Sequence, residues 1–297
     1  MAGASGFLGT ALRVRLASEG HEVVRLVRRE PGSATEFEWD PDAGTIADSV
    51  LDDVDAVVNL CGVGIADRPL TTKRKEIVRS SRINSTRTLA GALVARLALT
   101  GSAPALLQAS ATGYYPTEGS EQPLTEDQGP GPAWIAQVVA EWEATAQPAA
   151  DAGVRVVWLR TSPVIDSSGG LFPVMKRAWS LGAGAKLGDG TQHMPLIQLD
   201  DYVRFVLWAA EHPEASGPYN LTLPRPTTNS EFTDELAAQL HRPRFLRAPN
   251  AVLRTVLGDF ADQLLGDVWL LPQQALAQGF EFRSPDAVTA IKSALRN

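Results

Sequence analysis

The stretch Gly3-Ala4-Ser5-Gly6-Phe7-Leu8-Gly9 fits the pattern GxxGxxG and runs straight into a segment where Leu8, Leu12 and Leu16 recur every four residues before Gly20. Leucines at that spacing share one helix face, and a glycine just past them suits the left-handed backbone that ends helices. The three glycines have separate uses. One permits a tight strand-to-helix turn, one lets a pyrophosphate approach the backbone, and one lets the helix pack close to a sheet. The N–H groups at the helix start, around Phe7 and Leu8, have no carbonyl partner within the helix and are free to receive phosphate oxygens. Gly3, Ser5, Gly6, Phe7, Leu8 and Gly9 are therefore candidate dinucleotide contacts. Such glycines also occur in plain turns, and the following context favours the dinucleotide: a helix, then a strand ending about twenty residues on.

Working outward, short apolar runs alternate with helical patterns. The runs are His21–Val27, Asp55–Leu60, Pro104–Ala109 and Val154–Leu159, nearly continuous in apolar residues, as expected of strands covered on both faces. Between them Leu89, Leu93 and Leu97 mark a second helix ending near Gly101, and residues 133–150 mark a third. This alternation predicts an α/β protein with a doubly wound parallel sheet and right-handed crossovers. A strand should precede the glycine turn, where only Met1 and Ala2 stand; the recorded start is internal to the natural protein, or the first strand is truncated or replaced. After about residue 165 the texture changes to glycine-rich loops, a helix opening at Asp200-Asp201 read as an N-cap pair, a strand over Pro218–Leu223 and a helix over 229–241. Residues 1–165 are read as the cofactor-binding core and 166–297 as a smaller, mostly helical substrate lobe, with returning elements able to complete the core.

Composition bounds the function. The chain has 297 residues, 44% hydrophobic and 21% charged, with a net charge of −7, which fits a globular protein and excludes disordered and fibrous classes. Scattered basic residues give no footprint for nucleic acid or acidic lipid, and no apolar run reaches the ~20 residues that span a bilayer. Cys61 is the single cysteine and the four histidines lie far apart, so neither a disulfide framework nor a zinc site is expected. With no secretory signal pattern, the expected compartment is the cytoplasm and the expected partner is a small molecule.

The end of the second run selects the cofactor. It reads Leu26-Val27-Arg28-Arg29 with no carboxylate until Glu30. An acidic residue there would bind the ribose 2′-OH of NAD, whereas arginine accommodates the 2′-phosphate of NADP, so Arg28 points to NADP.

Together these residues resemble the short-chain dehydrogenase/reductase superfamily, in its extended and atypical branches related to nucleoside-diphosphate-sugar epimerases. An uncharacterised NAD-dependent epimerase/dehydratase-like branch is nearer still. The glycine turn, the run to Arg29, Ile65-Ala66-Asp67-Arg68, Ser81-Arg82, Thr86–Leu89, Ser110-Ala111-Thr112-Gly113-Tyr114-Tyr115, Leu124–Asp127, Asn220-Leu221-Thr222 and Asn229–Phe232 match it in order. The resemblance implies a Rossmann-like fold with NADP in an extended groove. It implies that Ser110 hydrogen-bonds a substrate oxygen near the nicotinamide and that Cys61-Gly62 lies beside the adenosine ribose. It further implies that Asn84 steadies the sheet and that Pro163 and Val164 border the nicotinamide.

One departure stands out. The superfamily's Tyr-x-x-x-Lys pair belongs on the helix after the serine strand, where an i,i+4 lysine lowers the tyrosine pKa. That helix here reads Pro132-Ala133-Trp134-Ile135-Ala136-Gln137-Val138-Val139-Ala140-Glu141-Trp142-Glu143, without either residue. General acid–base catalysis contributes ~10²–10⁴-fold, so a substitute is needed for the usual chemistry. Tyr114 and Tyr115 are candidates as proton donors, or as pocket floor. Glu118, Glu121, Glu126 and Asp127 are a paired base and acid, or a loop that is solvated or caps the next helix; His193 is a ligand contact or a surface or structural residue; and Lys73, Arg74 and Lys75 are an anion contact or the exposed face of a helix begun at Thr71 or Thr72. Two functions follow: an NADP-dependent oxidoreductase or epimerase-like enzyme using Ser110 and Tyr114 on a small polar or nucleotide-linked carbonyl substrate, or a non-catalytic NADP-binding regulator. No metal is expected.

Overall fold

Along the chain the strands are β1 (Arg25–Val27), β2 (Glu36–Asp40), β3 (Thr45–Ile46), β4 (Ala56–Asn59), β5 (Ala105–Ala111) and β6 (Val156–Thr161), with Gly217–Leu221 returning later. This is a computed structural model, and it describes residues 1–65, 67–244, 246–257 and 261–296. β4, β5, β6 and Gly217–Leu221 pair in parallel in that order. A second sheet has β1 parallel to β2 and β2 antiparallel to β3. Met1 and Ala2 stand between the two sheets. Ala2 N–H donates to Val58 O (2.9 Å) and Leu60 N–H to Ala2 O (3.1 Å), while Leu26 N–H donates to Met1 O (2.8 Å). Two residues thus occupy the central position and give partners to the edges of β4 and β1.

The sheet is covered on both faces, which is why its runs read as continuous. Leu106 and Val156 pack with Leu89 and Leu93 of α2 (Thr72–Thr100) and Ala146 of α3 (Trp134–Asp151). Their neighbours Leu107 and Val157 pack on the other side, with Leu12 of α1 (Phe7–Ser18) and with Phe205 and Tyr202 from the helix Leu199–Glu211. Successive strand residues point to opposite faces, so each face needs its own helices. This is the doubly wound α/β arrangement the sequence predicts. α2 begins at Thr71, whose hydroxyl accepts from the Arg74 N–H (3.2 Å), and ends at Gly101 with φ of 76°.

One local element is unforeseen and one expectation changes. The β2–β3 hairpin is not signalled by Glu36-Phe37-Glu38-Trp39-Asp40, because Glu36 is buried as an ion-paired group rather than as part of an apolar run. Asp200-Asp201 is not the N-cap of its helix. Gln198 is, accepting from the Asp200 N–H (2.5 Å), while Asp201 is buried and binds the N–H groups of Arg283 and Ser284.

The later part of the chain has its own apolar cluster, including Phe172, Trp179, Phe232, Leu236 and Ile291. It is mostly helical, with Phe172–Ser180, Asn229–Gln239 and Ala287–Arg296 among its helices, and Thr228 with Glu231 forms a capping box on the second of these. The strand Gly217–Leu221 leaves this part to lie beside β6.

Candidate functional site

At the glycine turn each small residue can be tested by the side chain it excludes. Gly3 has φ of 74°, and a Cβ there would fall 2.7 Å from the Leu60 carbonyl. At Gly9 it would fall 2.3 Å from Gly3 O and 2.9 Å from the Ala4 Cα. Those two glycines hold α1 hard against the end of β4. Gly6 is different: its nearest such contact is 3.5 Å, it is exposed beside exposed Ser5, and it caps α1 with no side-chain bond. The first-turn N–H groups of Phe7 and Leu8 therefore lie beside an open backbone surface, the geometry an anionic diphosphate needs. Phe7 is overlaid by a second glycine pair: a Cβ at Gly169 would fall 2.3 Å from its ring. That turn is tied down by Ser168, which donates to Asp166 Oδ1, and by Ser167, which donates to Ala294 O (2.5 Å) in the last helix.

Beyond β1 the two arginines part company. Arg29 grips both oxygens of Glu36 (2.7 and 2.8 Å), and Arg25 adds a third contact (2.8 Å). Hydrogen bonds from Arg29, then the Gly32 N–H, hold the Glu36 carboxyl well below its usual value, at about 2. Arg28 is exposed and makes no hydrogen bond or ion pair with a described residue. Its charge acts on Cys61, whose thiol burial nonetheless pushes up to about 11, so Cys61 is no nucleophile at neutral pH.

Cys61 and Gly62 follow β4. The Cys61 N–H donates to Asn59 Oδ1 (3.1 Å), and Asn59 Nδ2 donates to Gln108 Oε1 (3.0 Å), joining the end of β4 to the middle of β5. α2 secures the next residues: Arg82 donates to Val63 O (3.0 Å), Arg74 to Gly64 O (2.6 Å), and Ser81 accepts from the Val63 N–H (3.1 Å). Asn84 does not steady the sheet; it donates to Asp42 (2.8 Å) in the β2–β3 turn, beside an open cavity of about 650 Å³ that residues 41–46 and α2 line and the glycine turn does not. Ala66 lies outside the described residues.

Ser110 lies near the end of β5, in register with Arg160 on β6. It is only 4% exposed, and its hydroxyl donates to Glu143 Oε1 (2.5 Å) on α3. Arg160 binds both Glu143 oxygens (2.9 Å each) and also donates to the Tyr115 hydroxyl (2.8 Å). Tyr115 in turn donates to Asn220 Oδ1 (2.7 Å), and the Asn220 N–H donates to Glu126 (3.0 Å). Burial raises Tyr114 above its usual value, pushes Tyr115 up to about 12 and raises Glu126 as well. Both tyrosines are therefore phenols at neutral pH and not bases, and since Tyr115 already gives its hydrogen to Asn220, Tyr114 is the one left to donate. Tyr114 is half-buried, with the Arg160 guanidinium 3.8 Å from its ring centroid. Where α3 passes Gly113 it presents Ile135, whose Cγ1 a Gly113 Cβ would approach to 3.4 Å, an apolar side chain with no acid–base capacity.

Pro163 and Val164 follow β6, with Val164 paired to Ile197 and Pro163 O accepting from the Ile197 N–H (3.2 Å). His193 is held by Asp267 (2.8 Å) and stacked on Trp269, a structural docking of the chain's last part. Of the acidic loop, Glu126 is buried and pairs backbone, whereas Glu118, Glu121 and Asp127 are not buried. Glu143 and Arg160 are the residues the sequence reading missed. Arg160 carries the one available signal: a charge inside Val156–Thr161, a strand otherwise suited to full burial, demands a buried partner. Among the described residues, no three His, Cys, Asp or Glu side chains stand together as metal ligands, and no helix is long and apolar enough to cross a membrane.

A parallel sheet that positions a glycine-lined helix start beside the ends of β1, β4, β5 and β6 defines a Rossmann-like protein. The chain belongs to the NAD dependent epimerase/dehydratase family, whose model matches residues 1–222; a domain of unknown function (DUF1731) matches residues 248–294. It is 39% identical over 283 residues to Epimerase family protein Mb2239 of Mycobacterium bovis, covering 95% of this chain and 92% of that protein. Among solved structures, human epimerase family protein SDR39U1 (isoform 2) with NADPH has a TM-score of 0.88 at 30% identity, covering 100% of this chain and 98% of the other. A nucleoside-diphosphate sugar epimerase from Corynebacterium glutamicum has a TM-score of 0.81 at 31% identity, over 99% of this chain and 57% of that one.

Proposed function

We propose that this chain is an NADP(H)-dependent oxidoreductase or epimerase-like enzyme acting on a small polar or nucleotide-linked substrate at a carbonyl carbon or its alcohol counterpart. The observation that carries the reading is the glycine cradle. Side chains at Gly3 and Gly9 would collide with backbone while Gly6 stays open beside the unbonded N–H groups of α1, so the turn fits a dinucleotide diphosphate. Arg28, without a hydrogen-bond or ion-pair partner among the described residues, would meet the 2′-phosphate, and Cys61-Gly62 would border the adenosine ribose. Pro163 and Val164, after β6, would flank the nicotinamide, which supplies or accepts hydride when bound. Ser110 and Tyr114 form the polar edge offered to the substrate oxygen. A related protein carrying NADPH supports the cofactor choice.

The test is NADPH binding by fluorescence titration followed by stopped-flow absorbance, with aldehydes, ketones and sugar nucleotides against NADPH and the matching alcohols against NADP⁺. Turnover that falls in Ser110→Ala supports the enzyme. A second reading, a non-catalytic NADP-binding regulator, is favoured by the absent Tyr-Lys pair and by Ile135 at the Gly113 turn. It predicts micromolar NADPH binding with no cofactor turnover by any compound.

A further inference from the structure

A serine hydroxyl has one hydrogen to give and two lone pairs to offer. At Ser110 the hydrogen is already committed, to Glu143 Oε1 at 2.5 Å. Glu143 is bound at both oxygens by Arg160, and a carboxylate so paired offers Ser110 only acceptors, which gives the bond one direction. The arrangement is built in rather than incidental. Ser110 and Arg160 are register partners on neighbouring strands, Glu143 reaches them from the helix covering that face, and Arg160 is itself only 4% exposed. Its other arm is occupied by the Tyr115 hydroxyl and Glu126 O, so the guanidinium has little freedom to release Glu143.

We propose that Glu143 is a positioning residue that turns the Ser110 hydrogen inward, so that Ser110 meets the ligand as a hydrogen-bond acceptor and the site recognises a hydroxyl in preference to a bare carbonyl. This deepens the function proposed above and rests on its placement of Ser110 at the ligand edge. A carbonyl has no hydrogen to offer the Ser110 lone pairs; an alcohol has one. Tyr114 supplies the opposite polarity. It remains a phenol at neutral pH under the Arg160 guanidinium, and can donate to an oxygen of either ligand. An sp³ hydroxyl satisfies both residues at once, whereas a carbonyl satisfies only the second. Because Ser110 is nearly covered, the group that reaches it must be a single protruding atom rather than a ring face.

The test uses the full chain, with and without NADPH, and follows the Ser110 and Tyr114 NMR signals during titration with cyclohexanol and with cyclohexanone. The expected result is an alcohol preference of about tenfold, the worth of one matched hydrogen bond. It should vanish in Ser110→Ala and shrink or invert in Glu143→Gln, whose amide donates to Ser110 and frees its hydrogen. A serine hydroxyl proton slow to exchange with water, absent from Ser110→Ala, should report the bond directly in the wild type. Equal or tighter ketone binding, no shift at Ser110 from either compound, or a preference that survives Ser110→Ala overturns the proposal. The wild-type titrations decide this even where a Glu143 variant fails to fold. NADPH uptake without alcohol preference removes this inference alone. Absence of NADPH uptake removes the function proposed above, while titration of the unloaded chain still decides the polarity of Ser110.

Discussion

Arg29 is locked to Glu36 by two hydrogen bonds of 2.7 and 2.8 Å, and this leaves its neighbour Arg28 as the guanidinium at the end of β1 without a protein partner among the described residues. The two arginines should therefore respond differently to removal. Arg28→Ala is expected to weaken NADPH binding by about 10- to 100-fold, the loss of one charge-assisted phosphate contact, while leaving NADH binding nearly unchanged. Arg29→Ala is expected to keep the NADPH-to-NADH ratio and lower the unfolding temperature, because it exposes the buried Glu36 carboxylate to loss of its main partner. Fluorescence titration of both cofactors with both variants checks this; equal loss of NADPH and NADH in Arg28→Ala would reject the 2′-phosphate role.

The same ion pair sets an acid-side prediction. The folded Glu36 carboxyl sits at about 2, below its ordinary 4.5, chiefly through the Arg29 hydrogen bonds and then the Gly32 N–H. A depressed folded value means the folded state binds fewer protons, so its stabilising contribution is complete above pH ~4.5 and is lost as pH falls towards ~2. Glu36→Gln should flatten the stability curve in that window, and the change should disappear from the pH-dependent part above pH ~5. Urea unfolding at a series of acidic pH values measures it.

The glycines should be unequal as well. Gly9→Ala places a methyl 2.3 Å from Gly3 O, and Gly3→Ala combines a 2.7 Å approach to Leu60 with a φ of 74°. Both contacts are with backbone, which cannot rotate away, so both variants should lose cofactor binding and about 2 kcal/mol or more of stability. Gly6→Ala meets nothing nearer than 3.5 Å and should keep the fold, with its loss confined to affinity. Thermal unfolding beside cofactor titration separates the two effects. A Gly9→Ala protein that binds NADPH normally would show that α1 can draw back from the sheet at little cost.

Much of this was legible in the sequence because it rests on local rules. The glycine turn, the leucine spacing of α1 and α2 and the continuous runs of β4 to β6 each follow from short-range periodicity and double-sided burial. What was not legible depends on partners far apart in the chain. β2 is hidden because Glu36 is buried only by virtue of Arg25 and Arg29, and Glu143 is ordinary in a helix until Arg160 and Ser110 arrive beside it. Asn84 shows the converse: its motif context suggested the sheet, yet its side chain turns to Asp42 in the hairpin. Met1 and Ala2 likewise read as too short for a strand, although four hydrogen bonds place them between the sheets.

Among the contacts that bind the end of the chain to the core is a buried carboxylate whose removal should be costly. Asp201 is 0% exposed and accepts from the N–H groups of Arg283 and Ser284, both at 2.8 Å, with Arg204 at 3.1 Å on the same Oδ1 that Arg283 uses. Burial raises its pKa, so its surroundings do little to favour the charge beyond these bonds. Asp201→Ala leaves two backbone donors without acceptors at roughly 1–3 kcal/mol each, so a total loss of about 2–6 kcal/mol is expected. Asp201→Asn retains one acceptor oxygen and should lose about half as much. Because residues 283 and 284 lead into the helix Ala287–Arg296, whose Ala294 O holds Ser167 under the turn that overlies Phe7, the alanine variant should also weaken NADPH binding. Urea denaturation and NADPH titration on the same samples decide it: destabilisation with unchanged cofactor affinity would show that the last helix braces the fold without shaping the glycine turn.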